Sequence, residues 1–216
     1  MTTKIISSIE KEKLIVIVRS VAFDKLLPLA NALYAGGVRL MEITYSANGS
    51  IKDEDTARGI ELLAKEFNGR MYIGAGTVLT EKQVELTKNA GGSFIISPDS
   101  NPDIIKKTKD LCMVSIPGAL TPSEIQMAHR AGADFVKLFP VTNLGTDYIK
   151  AIKAPLSHIK FLAVGGIDEN NLEEYLKSGI CGVGVGSNIT KKDLIDNNDF
   201  DAITALAKKY TEVINK

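Results

Sequence analysis

The stretch DFVKLFP, residues 134–140, has the pattern of a short, buried β-strand with a lysine at its centre. Successive residues of a strand point to opposite faces, so Val136 and Leu138 share one face and Lys137 shares the other with two phenylalanines. Near-continuous apolar runs are typical of parallel strands that are covered on both faces. Because the outer face of such a strand meets apolar helices, Val136 and Leu138 belong there. Lys137 is therefore predicted to point into the interior of the fold.

Seven further segments of this kind alternate with segments that have helical apolar spacing. Eight strand–helix units in succession predict an α/β fold, the (β/α)8 TIM barrel, in which a closed parallel sheet lies inside a ring of helices. The first dozen residues predict an additional N-terminal helix that covers the bottom of the barrel. We expect residues 1–216 to form a single TIM-barrel domain. The other strand candidates are LIVIVRS (14–20), LMEITYS (40–46), MYIGAGTV (71–78), FIISP (94–98), MVSIPG (113–118), KFLAVGG (160–166) and CGVGVGS (181–187).

Local signals mark the ends of the predicted helices. Capping residues are expected at Asp24, Thr80, Thr121 and Asn170, where a side-chain oxygen can accept a bond from a free helical amide. Glycine-containing joins predict left-handed residues between helix and strand, with AGG at 35–37 and 90–92, AGA at 131–133 and SG at 178–179. The longest connection is predicted over residues 46–59.

Composition argues against several classes of function. Lys+Arg and Asp+Glu are both 26, so the formal net charge is zero and gives no pull toward nucleic acid or an anionic membrane. No apolar run approaches the length of a membrane span, and the first residues lack the apolar core of a signal peptide. Cys112 and Cys181 form no close-spaced motif, which suggests a reducing compartment. A cytoplasmic protein with no nucleic-acid or membrane partner is expected.

No metal or cofactor is predicted. His129 falls in a predicted helix and His158 before a predicted strand, so both are expected at the surface, and their spacing does not suggest zinc. The first strand is not followed by the GxGxxG pattern of dinucleotide-binding folds.

Two more ionisable residues are predicted to share the interior with Lys137. The strand alternation places Glu42 and Arg19 on the inward faces of their strands, toward the strand ends where barrel enzymes work. One interpretation is structural, with Lys137 and Glu42 as a buried ion pair. The other is catalytic: burial and Arg19 depress the lysine pKa, and the neutral amine attacks a ketone to form a Schiff base.

Glycine-rich strand ends predict a phosphate site. VGGI (164–167) and VGVGS (183–187) end the last two strands, where barrels often bind phosphate with backbone N–H groups and a short helix N-terminus. Ser187 adds a hydroxyl, and SNITKKDL (187–194) is a candidate for the short helix. Tight turns also favour glycine, so a purely structural role is the alternative. In GAGTV (74–78), Thr77 is either a donor to a substrate or a capping residue.

Taken together, these motifs resemble the KDPG/KHG aldolases, which are class I aldolases. They cleave 2-keto-3-deoxy-6-phosphogluconate (KDPG) or 4-hydroxy-2-oxoglutarate (KHG). The resemblance implies a homotrimeric barrel, pyruvate as a product, a phosphorylated keto-sugar acid as substrate, no metal or cofactor, and a place in Entner–Doudoroff-type carbohydrate metabolism. It rests on IVR (17–19), EIT (42–44), GAGTVLT (74–80), ISP (96–98), IPGALTPSE (116–124), VKLFP (136–140), GGI (165–167) and GVGS (184–187).

The resemblance also implies roles for individual residues. It places the Schiff-base lysine at Lys137 and the acid/base carboxylate at Glu42, with Arg19 and Thr77 at the pyruvate end. The remaining candidate substrate contacts are Pro98 and Phe139, and for the phosphate Gly165, Gly166, Gly186 and Ser187.

Two positions depart from the family pattern. Well-known members have an arginine where this chain has Ser46, which leaves the substrate carboxylate to Arg19 and Thr77. Many members have a threonine where this chain has Val164, which removes a hydroxyl from the phosphate site. Three alternatives stay open: the C4-epimeric 2-keto-3-deoxy-6-phosphogalactonate as substrate, an isomerase or epimerase that works by proton transfer, and a barrel that binds a phosphorylated metabolite without chemistry.

Overall fold

The computed structural model describes residues 2–216, which fold into nine strands and ten helices. The strands are β1 (Leu14–Val18), β2 (Leu40–Thr44), β3 (Tyr72–Gly76), β4 (Phe94–Ile96), β5 (Val114–Ile116), β6 (Gly118–Ala119), β7 (Val136–Leu138), β8 (Phe161–Val164) and β9 (Gly182–Val185). The helices are α1 (Thr2–Glu12), α2 (Phe23–Ala35), α3 (Asp53–Glu66), α4 (Glu81–Asn89), α5 (Pro102–Asp110), α6 (Pro122–Arg130), α7 (Gly145–Lys153), α8 (Leu172–Lys177), α9 (Lys192–Asp196) and α10 (Phe200–Ile214).

The strands form one parallel sheet in the order β5-β4-β3-β2-β1-β9-β8-β7-β6. Eight strands were expected, and the ninth arises because the segment after residue 113 is interrupted at Pro117, which has no amide to donate. Backbone bonds across this interruption close the barrel: the Phe135 amide donates to the Ser115 carbonyl at 3.3 Å, and the Lys137 amide donates to the Pro117 carbonyl at 2.9 Å. The predicted TIM-barrel fold is thus confirmed.

Two apolar clusters separate the inside of the barrel from its outside. The inner cluster contains Phe135 and Leu40, and the outer one contains Val136 and Leu138 against the helices, as the strand alternation predicts. The inner cluster also includes Ile5 and Ile9 of α1, each only 1% exposed. The predicted N-terminal helix is therefore present, and its two isoleucines pack into the interior cluster.

The predicted helix caps are right in two cases and wrong in two. Thr80 and Thr121 each form a capping box with the residue three positions on. Asp24 lies in the first turn of α2, and Asn170 lies before the cap position of α8. Neither helix has a side-chain cap: the cap position of α2 is Ala22, and that of α8 is Asn171, whose Oδ1 accepts from the Asp168 amide instead.

The predicted joins are confirmed at their glycines, whereas the predicted long connection is too long. Positive φ angles occur at Gly37, Gly91, Gly132 and Gly179, where the chain leaves a helix for the next strand. The connection predicted over 46–59 ends early, because α3 begins at Asp53 with three acidic residues in its first turn. No helix within residues 2–216 is long and apolar enough to cross a bilayer.

We predict that Ile9→Ala lowers the free energy of unfolding by about 2–5 kcal/mol, because it empties a buried site at the foot of the barrel. The matched control is Ile6→Ala on the same helix, where the side chain is only partly buried, so the loss is smaller. Urea unfolding of both variants measures the difference. Equal losses for the two would contradict the proposed packing of α1 into the interior.

Candidate active site

A cavity of about 220 Å³ lies at the carboxyl ends of the barrel strands. Every candidate site residue predicted from the sequence lines it. These residues are Arg19, Glu42, Thr77, Pro98, Lys137, Phe139, Gly165, Gly166, Gly186 and Ser187. They come from separate strands, and parallel pairing brings the carboxyl ends of those strands together.

Lys137 lies on β7, and its side chain is 7% exposed. Its ammonium lies 4.5 Å from the centroid of the Phe139 ring. Burial lowers the pKa of the Lys137 amine. The negative charge of Glu42 opposes this effect, and the positive charge of Arg19 adds to it. Because burial is the largest of the three causes, the neutral amine is easier to form here than in water.

Glu42 lies on β2 and is 2% exposed. Its Oε2 atom has no hydrogen-bond partner. Burial raises the pKa of the Glu42 carboxyl to about 7, against the charges of Lys137 and Arg19, which lower it. A carboxyl with this pKa is present in both protonation states near neutral pH, which suits a group that takes up and returns a proton.

Lys137 and Glu42 do not form a direct ion pair within the described residues. They interact through the electrostatic field across the cavity, as the opposing effects on their pKa values show. A structural ion pair would satisfy the carboxylate by direct contact. The structural interpretation of these two residues therefore lacks the contact on which it depends.

Glycines on β3 make room for the carboxylate. The register places Glu42 beside Gly74 and Thr44 beside Gly76. A Cβ atom at Gly76 would overlap Glu42 Oε1, and one at Gly74 would overlap the Phe94 ring. The glycine-rich GAGTV segment thus has a steric cause that the sequence did not reveal: only a residue without a side chain fits beside the inward Glu42.

Arg19 and Thr77 meet at one end of the cavity. Arg19 Nη2 donates to Thr77 Oγ1 at 3.3 Å. Thr77 has a φ of 55°, a left-handed conformation that is rare outside glycine and that is often found at functional sites. The cap of α4 is Thr80, so the capping interpretation of Thr77 is wrong. The Thr77 hydroxyl instead faces a guanidinium at the wall of the cavity.

The glycine-rich ends of β8 and β9 form another part of the cavity wall. Gly165 and Gly166 have φ angles of 116° and 69°, so the turn requires glycine at both positions. At the end of β9, Gly186 and Ser187 enter a hydrogen-bonded turn in which the Ile189 and Thr190 amides donate to the Gly186 carbonyl at 2.9 Å. The short helix predicted over 187–194 starts only at Lys192, since this turn occupies the residues before it.

Sequence reasoning missed Asn188, which lines the cavity beside Ser187. Its Nδ2 atom donates to the Ile167 carbonyl at 2.8 Å and so ties the end of β9 to the turn after β8. Its polar side chain directly after GVGS was the available signal. Ser46 lies outside this cavity: its hydroxyl bonds Asn48 at 2.7 Å and Ser50 at 2.8 Å within its own loop.

The histidines lie apart from the cavity. His129 is exposed in α6, His158 is exposed before β8, and their rings lie 5.1 Å apart, centroid to centroid. Both surface predictions are therefore confirmed. Residues 2–216 contain no group of three or more His, Cys, Asp or Glu side chains that could hold a metal ion.

Known proteins resemble this chain in sequence and in fold over nearly its whole length. The family model described as KDPG and KHG aldolase matches residues 5–206. A relative from Haemophilus influenzae, named 2-dehydro-3-deoxy-phosphogluconate aldolase, is 34% identical over 99% of this chain and 98% of its own length. A relative from Escherichia coli, named 2-dehydro-3-deoxy-6-phosphogalactonate aldolase, is 30% identical over 94% of this chain and 97% of its own length.

A solved structure of a related protein contains a covalent reaction intermediate. KDPG aldolase from Legionella pneumophila, with pyruvate captured at low pH as a covalent carbinolamine intermediate, superposes with a TM-score of 0.84 and 31% identity, over 94% of this chain and 96% of that one. By its sequence match and its fold, the chain belongs to the KDPG and KHG aldolase family and is a carbon–carbon lyase, a metal-independent class I aldolase.

Proposed function

We propose that this aldolase cleaves 2-keto-3-deoxy-6-phosphogluconate to pyruvate and glyceraldehyde 3-phosphate. 4-Hydroxy-2-oxoglutarate, which gives pyruvate and glyoxylate, is a second possible substrate. The observation that carries the proposal is the buried Lys137 amine, with its lowered pKa, inside a cavity that ends in two glycine-rich turns. The 2-keto-3-deoxy-6-phosphogalactonate reaction is the alternative, supported by the name of the relative from Escherichia coli.

Lys137 is the nucleophile in this proposal. Its neutral amine attacks the C2 carbonyl carbon, and the resulting carbinolamine loses water to give a protonated imine. The imine is an electron sink for the next step. The electron pair of the C3–C4 bond moves toward the imine nitrogen and leaves an enamine, while C4 becomes the aldehyde. The enamine is then protonated at C3, and hydrolysis of the imine releases pyruvate and restores the amine.

Glu42 is the proposed acid and base. Its carboxylate takes the proton of the C4 hydroxyl, directly or through one water molecule, as the C3–C4 bond breaks. The same group, now protonated, can return a proton to the enamine carbon. The pKa of about 7 fits both duties, because neither form is strongly disfavoured at neutral pH.

Arg19 and Thr77 are proposed to bind the carboxylate of the substrate. Arg19 and Lys137 supply the two cationic side chains among the cavity residues, and Lys137 must be neutral to react. A guanidinium matches a carboxylate with two parallel donors, and the Thr77 hydroxyl can add a third. Pro98 and Phe139 complete the proposed wall around the reacting carbons, with the Phe139 ring centroid 4.5 Å from the Lys137 ammonium.

The glycine-rich turns after β8 and β9 are proposed to bind the phosphate. Backbone N–H groups around Gly165, Gly166 and Gly186 provide donors without side chains in the way, and Ser187 adds a hydroxyl. Anchoring the far end of the substrate fixes the C4 hydroxyl relative to Glu42. The homotrimer implied by the family resemblance stays a prediction.

We predict that Lys137 is the only lysine that borohydride traps with pyruvate. Reduction of the imine leaves a stable secondary amine, which peptide mapping by mass spectrometry locates. Lys137→Arg should lose both the label and cleavage activity, since an arginine supplies no neutral amine. Lys160 is the matched control, because its ammonium also lies over a phenylalanine ring but its side chain is 45% exposed. Lys160→Arg should keep both properties; a label on any other lysine would overturn the assignment.

We predict that Glu42→Gln lowers kcat roughly a hundredfold or more, the usual size of acid–base help, while imine trapping persists. The carboxylate form is the base for cleavage. Because burial raises its pKa to about 7, cleavage by the wild-type enzyme should rise with pH through that value and fall below it. The glutamine variant should lack this acid limb in its profile of kcat against pH. Near-wild-type turnover in Glu42→Gln, or an unchanged acid limb, contradicts the role.

We predict that kcat/KM is higher for 2-keto-3-deoxy-6-phosphogluconate than for its dephosphorylated form. Ser187→Ala should weaken the preference only a few-fold, because backbone groups supply most of the donors. Gly186→Val should abolish it. A Cβ at Gly186 would meet no atom closer than 3.6 Å, so there is room for the start of a side chain, which would block approach of the phosphate. Equal wild-type efficiencies for the two substrates would rule out the phosphate site.

A further inference from the structure

The loop that follows β7 is attached directly to the glycine turn that follows β8. The Val141 amide donates to the Val164 carbonyl at 3.1 Å, one residue before Gly165. The Leu144 and Gly145 amides then donate to the Val141 carbonyl at 3.0 and 3.3 Å, which folds the loop into a compact turn before α7. Residue 142 is thereby held in a fixed position relative to Gly165 and Gly166.

Thr142 covers the side of the turn on which the two glycines lack side chains. A Cβ built on Gly165 would lie 2.9 Å from Thr142 Oγ1, and one built on Gly166 would lie 2.9 Å from Thr142 Cγ2 and 3.2 Å from Oγ1. The methyl and hydroxyl groups of Thr142 therefore lie where side chains of residues 165 and 166 would begin. Thr142 is exposed.

The turn itself has no polar side chain at its start. The residues of VGGI (164–167) offer only backbone donors, and Val164 is 8% exposed with an apolar side chain. The turn after β9 differs, since Ser187 supplies a hydroxyl to the cavity. Thr142, which belongs to a different strand–helix unit, is the residue that brings a hydroxyl to the β8 turn.

We propose that Thr142 is a further phosphate-binding residue, whose Oγ1–H donates to a phosphate oxygen bound at the Gly165–Gly166 turn. The inference rests on the proposed function, in which this turn binds the phosphate of the substrate. A hydrogen bond to a charged partner is stronger than one between neutral groups. The residue thereby adds to the preference for phosphorylated over non-phosphorylated substrates, while the chemistry at Lys137 is unaffected.

The test compares Thr142→Val with Thr142→Ser. Valine keeps the shape and a methyl group against the glycines but has no hydroxyl, whereas serine keeps the hydroxyl. For 2-keto-3-deoxy-6-phosphogluconate, kcat/KM should fall roughly tenfold in the valine variant, chiefly through KM, the scale expected for one lost bond to a charged group. For the dephosphorylated substrate, kcat/KM should stay within about twofold of wild type in both variants. Inorganic phosphate, used as a competitive inhibitor, should bind more weakly to the valine variant alone.

The outcomes separate this inference from the proposed function. If the wild-type enzyme does not distinguish the two substrates, the phosphate site fails and Thr142 has no role in it. If the wild-type enzyme prefers the phosphorylated substrate and Thr142→Val keeps that preference, only the Thr142 inference fails. Equal losses on both substrates with a lower Tm would show that Thr142 merely packs on the turn, which also overturns the proposal.

Discussion

The burial of two ionisable side chains, Lys137 and Glu42, in one barrel interior is the constraint on which the rest of the structure depends. Each group alone would favour its neutral form, because charge is costly away from water. Each also stabilises the charge on the other across the cavity, although they make no direct contact. The result is a lysine with a lowered pKa in the same cavity as a carboxyl with a raised one.

The same constraint shapes the neighbouring strand β3 and makes the stability of the fold depend on pH. Because the Glu42 carboxyl reaches over β3, position 76 has to be a glycine: a Cβ there would overlap Glu42 Oε1. The pKa of Glu42 lies at about 7 in the folded chain against 4.5 for an ordinary glutamate. The protonated Glu42 carboxyl therefore stabilises the fold fully below about pH 4.5, and this stabilisation is lost as the pH rises through about 7. The carboxylate form, which is the proposed base, is the form that destabilises the fold.

Strand alternation predicted the fold and the cavity because both depend on which face a residue occupies. One apolar run with a central lysine fixed the inward face of β7, and Glu42 and Arg19 followed from the same rule. The sequence-based predictions fail where contacts between distant parts of the chain determine the local structure. Pro117 divides a strand without opening the barrel, since its carbonyl still accepts a bond from Lys137. Asn188 and Thr142 are ordinary polar loop residues in the sequence, and only the meeting of separate strand–helix units places them at or beside the cavity.

Substrate selection is divided unequally between the two ends of the cavity. At the Arg19 end, the proposed recognition of the carboxylate depends on one exposed guanidinium and on Thr77, whose left-handed backbone costs on the order of 1 kcal/mol. Ser46 lines a neighbouring pocket with Arg19, and its hydroxyl bonds Asn48 and Ser50 within its own loop. This end can select any 2-keto acid, but it does not read the configuration at C4. In the proposed function, discrimination between the gluconate and galactonate series would therefore arise where the C4 hydroxyl lies, between Glu42 and the turns proposed to hold the phosphate. Those turns would fix the depth and rotation of the sugar acid, so we expect the residues that position them, Asn188 among them, to govern which C4 hydroxyl meets the base.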